Sequence, residues 1–74
     1  MTKLRELPVE HRSYIVKELG NYSTIIDDKG NIEVRLDEDQ KRHVARKINM
    51  EFCTTFNCSD IYFFARQYEQ MINV

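Results

Sequence analysis

The hydrophobic pattern of the chain changes period near its middle. Ile32, Val34 and Leu36 alternate with Glu33 and Arg35, the two-residue repeat of a strand with one buried face. Val44, Ala45, Ile48, Phe52 and Phe56 then recur at three- and four-residue steps, as do Ile61, Phe64, Ala65, Tyr68, Met71 and Ile72. That is the repeat of amphipathic helices. The pattern therefore predicts a strand over 32–36, a helix over about 38–55 and a last helix beginning near Ser59. Asp37 is the expected N-cap of the first of these helices. Glu38 and Asp39 fill its first turn, and Gln40 takes the capping-box position. Asn57-Cys58-Ser59-Asp60 interrupts the helical pattern, with Ser59 placed to cap the last helix.

Upstream, Tyr22–Ile26 and Ile32–Leu36 are short β-rich runs on either side of Asp27-Asp28-Lys29-Gly30-Asn31. Asp and Asn accept left-handed backbone and Gly30 takes a positive φ without steric cost, so this segment predicts a β-hairpin. Before it, residues 8–19 carry Val9, Ile15, Val16 and Leu19 at helical spacing. Pro8 suits a first helical position, Glu10 suits the first turn, and Gly20 suits a stop. The competing reading makes Ser13–Leu19 a strand, since Tyr14-Ile15-Val16 is rich in β formers. Residues 1–7 read as a lead-in or an extra turn around Leu4 and Leu7. The expected fold is a single α+β domain of helix, β-hairpin and two C-terminal helices (αββαα).

Length then limits what such a domain can do alone. The 74 residues bury only about 60–65% of the surface of the unfolded chain, which leaves the core marginal. A second subunit is one usual source of further burial, so a homodimer stays open. Eleven Lys and Arg stand against 12 Asp and Glu, a balance that argues against a general polyanion binder but leaves room for a local basic patch. No apolar run reaches the roughly 18–20 residues of a membrane span. The first residues contain no apolar signal region either, and with two cysteines a reducing cytoplasm is the expected location.

Candidate chemistry is sparse. Cys53 and Cys58 lack the second Cys or His pair that a zinc site needs, and are expected as buried small apolar groups. His11 and His43 have no evident nucleophile to serve as a base, and read as surface histidines. The carboxylates at 27, 28 and 37–39 lack calcium-loop spacing and are accounted for by turn and cap roles. With no phosphate loop or ligand set, neither enzyme activity nor a metal or other cofactor is expected.

The expected function is that of a small non-enzymatic regulator or inhibitor which binds a larger protein partner. Met50 lies off the apolar stripe of its helix; on the last helix Phe63 falls on the face opposite the stripe, near Val74, while Tyr62 sits at its margin. Arg42, Arg46 and Lys47 add a basic face to these three. Aromatic residues and Arg are the side chains most enriched at binding hot spots.

The order strand, helix, helix also supports a second expectation. The run Ile32–Asp39, with Val44, Ile48, Ser59-Asp60-Ile61 and Ala65 after it, resembles the ribbon-helix-helix family of DNA-binding regulators. The resemblance covers about half the chain. It implies that two chains pair these strands into a ribbon which enters the major groove. Asn31, Glu33 and Arg35 would then read bases, and the backbone around Ser59 and Asp60 would anchor a phosphate. The two expectations differ in whether strand 32–36 pairs within its own chain or with a second copy.

Overall fold

A computed structural model describes residues 3–73; Met1, Thr2 and Val74 fall outside it, as does the expected neighbourhood of Phe63 and Val74. A 3₁₀ turn at Leu4–Glu6 leads into helix α1 (Val9–Gly20). Strands β1 (Ser23–Ile25) and β2 (Ile32–Val34) come next, then helices α2 (Glu38–Phe52) and α3 (Cys58–Ile72). This is the helix, hairpin and helix pair that the hydrophobic pattern predicts. The strand alternative for 13–19 is not what forms.

Local chemistry explains most of the boundaries. Asp37 accepts a hydrogen bond from the Gln40 backbone N–H at 2.7 Å, and the Gln40 side chain accepts one from the Asp37 N–H at 2.9 Å. The hairpin loop closes on Asp27, whose Oδ1 accepts from the N–H groups of Lys29 and Asn31. Its Oδ2 accepts from the Asn31 side chain, and Gly30 takes φ +83°.

Four local expectations are corrected. Pro8 is the N-cap of α1, and the exposed Val9 is its first residue. Helix α2 stops at Phe52, about one turn before residue 55, because Cys53 adopts a left-handed backbone at φ +56°. Asn49 stabilises that ending: its side-chain oxygen accepts from Thr54 Oγ1 and the Phe56 N–H, and its Nδ2 donates to the Phe56 carbonyl, each at 2.8 Å. Helix α3 is capped by Asn57, with Asp60 completing the box, so Ser59 lies inside the first turn. Cys53 is exposed and Cys58 half-buried; both are free thiols instead of core residues, because they flank a surface turn.

Three helices enclose the core. Ile15 and Leu19 of α1 meet Val44, Ala45 and Ile48 of α2 and Ile61, Phe64 and Ala65 of α3, all buried. Leu4 closes one end at 0% exposure, held in place by its N–H donating to Gln67 Oε1 at 2.6 Å. Of the two readings of this segment, lead-in or extra turn, the turn is what forms, and its Leu4 is part of the core. Phe52 packs beside α1, stacked on His11 at 4.0 Å between ring centroids and edge-on to Tyr14 at 5.3 Å. His11, expected at the surface, is only partly exposed for this reason.

The hairpin joins this core through one strand. β1 and β2 are antiparallel, with Ser23 opposite Val34, Thr24 opposite Glu33 and Ile25 opposite Ile32. Hydrogen bonds from the Ile26 N–H to the Asn31 carbonyl and from the Arg35 N–H to the Tyr22 carbonyl fix the ladder's phase. The N–H and C=O groups of Ile32 and Val34 consequently point away from β1. Helix α3 satisfies all four, with help from its C-cap. Asn73 accepts from the Ile32 N–H at 2.8 Å and donates to its carbonyl at 2.7 Å. Glu69 Oε2 accepts from the Val34 N–H at 2.8 Å, and Arg66 Nη2 donates to the Val34 carbonyl at 2.9 Å. The strand expected over 32–36 forms only over 32–34, and within this chain it has β1 on one side and α3 side chains on the other.

Two substitutions probe these contacts. Glu69→Ala leaves the buried Val34 N–H without an acceptor and should lower unfolding free energy by about 1–3 kcal/mol, read by urea denaturation. Cys53→Gly removes a side chain from left-handed backbone and should raise the thermal midpoint by roughly 2–6 °C, read by circular dichroism.

Candidate partner-binding site

Helices α2 and α3 present faces that the core does not use. On α2, Arg42, Arg46 and Met50 succeed one another at four-residue intervals, and Met50 is 78% exposed. With Ala45 and Phe56 below and Cys58 of α3 opposite, they line a shallow, mainly apolar groove of about 430 Å³. One turn beyond Cys58 stands Tyr62, 48% exposed and edge-on to Phe63 at 5.6 Å. Phe63 is itself 40% exposed, so neither ring is covered by α1. The local reason is register. Ile61, Phe64, Ala65 and Tyr68 form the inward stripe of α3, which leaves 62 and 63 on the outer flank.

The cations around this surface are not equivalent. Arg42 is 3.1 Å from Asp39 on the same helix, an exposed pair of small energetic weight. Arg46 has no carboxylate within ion-pair distance among the described residues, so its charge is free for an incoming group. Lys47 does not join the others. It lies on the α1 side of α2, with Nζ 2.8 Å from Oε1 of the largely buried Glu18. Expected as part of a binding face, it is in position an interhelix strut.

A second hollow, of about 510 Å³, opens between β2 and α3 and takes in Arg35, Lys41, Tyr62 and Arg66. Lys41 Nζ and the Arg66 guanidinium approach the Tyr62 ring to 5.7 and 5.3 Å from its centroid. Each cation here already faces a carboxylate. Arg35 bonds Glu33 at 2.9 Å, Lys41 meets Glu38 at 2.7 Å, and Arg66 Nε lies 3.1 Å from Glu69 Oε1, an ion-pair contact outside hydrogen-bond geometry. The hollow therefore offers an anion little uncompensated charge.

The residues implied by the ribbon-helix-helix resemblance are scattered. Asn31 is tied into the hairpin loop through Asp27, and Glu33 and Arg35 neutralise one another on the outer face of β2. Ser59 is exposed in the first turn of α3, at the other end of that helix from the Asn73 contact with β2. Among the described residues, no three His, Cys, Asp or Glu side chains form a cluster able to hold a metal ion, and no helix is long and apolar enough to cross a membrane.

The hydrogen bond that Lys47 donates to Glu18 raises the Lys47 pKa above its ordinary 10.5, and the attraction of the carboxylate acts in the same direction. The stability from this pair is fully present below pH 10.5 and disappears as pH rises through the higher folded value. Lys47→Met should accordingly lose that part of the pH dependence of stability above 10.5, as read by alkaline denaturation followed by far-ultraviolet circular dichroism. Comparison with protein-family models, curated proteins and solved structures finds no match for this chain.

Proposed function

We propose that the protein is a non-enzymatic regulator or inhibitor that acts by binding a larger protein partner across α2 and the start of α3. The observation that carries this reading is the exposure of Met50 on α2 and of the Tyr62–Phe63 pair at the start of α3, large apolar side chains left outside the core. Beside the groove stands Arg46 with no acid of its own among the described residues. An apolar floor with a free guanidinium at its rim suits an acidic partner segment that carries one or two apolar anchors. A cytoplasmic setting, in which the free thiols of Cys53 and Cys58 stay reduced, belongs to the same proposal.

The DNA-binding alternative ranks second for a stereochemical reason. A ribbon between two chains uses an edge of β2, and both edges are occupied here, by β1 and by Arg66, Glu69 and Asn73. Releasing either set costs several hydrogen bonds before any contact with DNA is made.

The test compares the wild-type chain with Met50→Glu, Arg46→Glu and Phe63→Ser in capture from nuclease-treated native extract, with reconstitution from the purified partner afterwards. These side chains are exposed, so the variants should fold normally by dichroism. Loss of a hot-spot residue should weaken binding by about 30-fold, corresponding to roughly 2 kcal/mol. Equal binding by all three variants would count against this surface. Retention that vanishes on nuclease treatment would point to nucleic acid as the partner.

A further inference from the structure

The two edges of the hairpin are treated in opposite ways. On β2 every outward N–H and C=O group of Ile32 and Val34 is bonded to Arg66, Glu69 or Asn73. On β1 the ladder's phase turns the backbone groups of Tyr22, Thr24 and Ile26 toward β2, and those of Ser23 and Ile25 outward. Among the described residues, nothing bonds to the outward N–H or C=O of Ser23 or Ile25. The Ser23 hydroxyl turns away to the Leu19 carbonyl, at 3.3 Å. Natural edge strands are usually protected by Lys, Pro or a bulge. This one instead carries Ile25 and Ile26, 69% and 48% exposed.

We infer that the open edge of β1 docks a second copy of this chain, antiparallel about a two-fold axis at Thr24, extending the two hairpins into one four-stranded sheet. The open backbone groups are arranged symmetrically for this. With Thr24 facing Thr24, Ser23 of each copy lies opposite Ile25 of the other, and both such pairs fall in hydrogen-bonding phase. Four hydrogen bonds form without disturbing any bond to β2. In the same register Ile25 comes alongside Ser23 of the other copy, and Ile26 alongside Tyr22. The β-branched side chains that now overhang the edge then have a neighbour.

Charge selects this direction. Antiparallel pairing sets Asp27 and Asp28 beside Asn21 and Gly20 of the other copy, whereas parallel pairing would align each acidic loop with its own duplicate. The structure also limits the assembly to two. Each copy has one open edge, and α3 covers the other, so the contact is isologous and closes on itself. A three-residue edge is small beside the roughly 1,200–2,000 Å² of a stable interface, which makes the association weak and concentration-dependent.

The test is sedimentation equilibrium of the full chain from about 10 μM to about 1 mM, the range that resolves weak dimers. The mass should rise from one chain, 8.9 kDa, toward two and no further. In parallel, the amide resonances of Ser23 and Ile25 should move with concentration more than that of Thr24. Ile25→Lys puts a charge on an already exposed position and should weaken association at least tenfold. Ile25→Pro deletes an outward N–H that β2 does not use and should do the same. Met50→Glu, on the separate helix surface, should leave association unchanged, so the outcome is independent of the proposed partner site. A single-chain mass throughout overturns the inference, as do species larger than a dimer. A dimer that survives Ile25→Lys, or one lost with Met50→Glu, overturns it as well. Should Ile25→Pro fail to fold, Ile25→Lys decides.

Discussion

Four backbone groups of β2 face a helix, and a helix has no backbone donors or acceptors to offer along its side. Left unbonded, the two part-buried groups of Val34 would each cost about 1–3 kcal/mol, whereas those of Ile32 lie where water reaches them. Arg66 and Glu69 remove that cost, and Asn73 takes the place of water at Ile32. They lie at i, i+3 and i+7 on one stripe of α3 and its C-cap, and they match the outward groups of Ile32 and Val34 along the strand. Asn73 is the closest imitation of a third strand, since its amide presents one donor and one acceptor as a peptide does. Arg66 and Glu69 divide the same task between them and form an ion pair with each other.

Much of the remaining architecture depends on this junction. A lone two-stranded hairpin is marginal in water. Fastened to α3, the hairpin can place Val34 in the core and set Leu36 and Asp37 where α2 begins. Helix α2 then reaches back to α1 through Lys47 and Glu18, while its turn into α3 is held by the side chain of Asn49. The same polar junction makes β2 unavailable to other chains. A domain of this size spends its polar side chains on closing one edge and leaves the other bare, and it leaves Met50, Tyr62 and Phe63 outside its core. The edge of β1 and the outer face of α2 and α3 are separate surfaces, the first proposed for a like chain and the second for an acidic partner.

The αββαα order was legible because each element carries its own local signal. Alternation marks β2, the Asp27–Asn31 loop marks the hairpin, and the Asp37–Gln40 box marks the start of α2. The exposure of Met50, Tyr62 and Phe63 also comes from helical periodicity, because the inward stripe of each helix fixes its outward one. Boundaries were less legible. Ser59 and Asn57 are both good caps, and the choice between them depends on where the turn held by Asn49 delivers the chain. Cys53 in left-handed backbone has no sequence signal, since that conformation is usually given to Gly or Asn.

The sequence by itself thus determined most of which segments are helix and strand and which faces they turn inward, with 13–19 open between the two, because periodicity, caps and turn residues act over a few positions. Tertiary structure alone decided that Leu4 is core, that Lys47 belongs to Glu18 instead of a binding face, and that β2 is closed by α3 while β1 stays open. Those outcomes join residues 29 to 63 positions apart. Arg, Glu and Asn on an exposed helix flank look the same in sequence whether they meet water or an unpaired strand. Only the packing of α3 against β2 tells them apart, since it shuts water away from the backbone groups of Val34 and brings Asn73 within reach of those of Ile32.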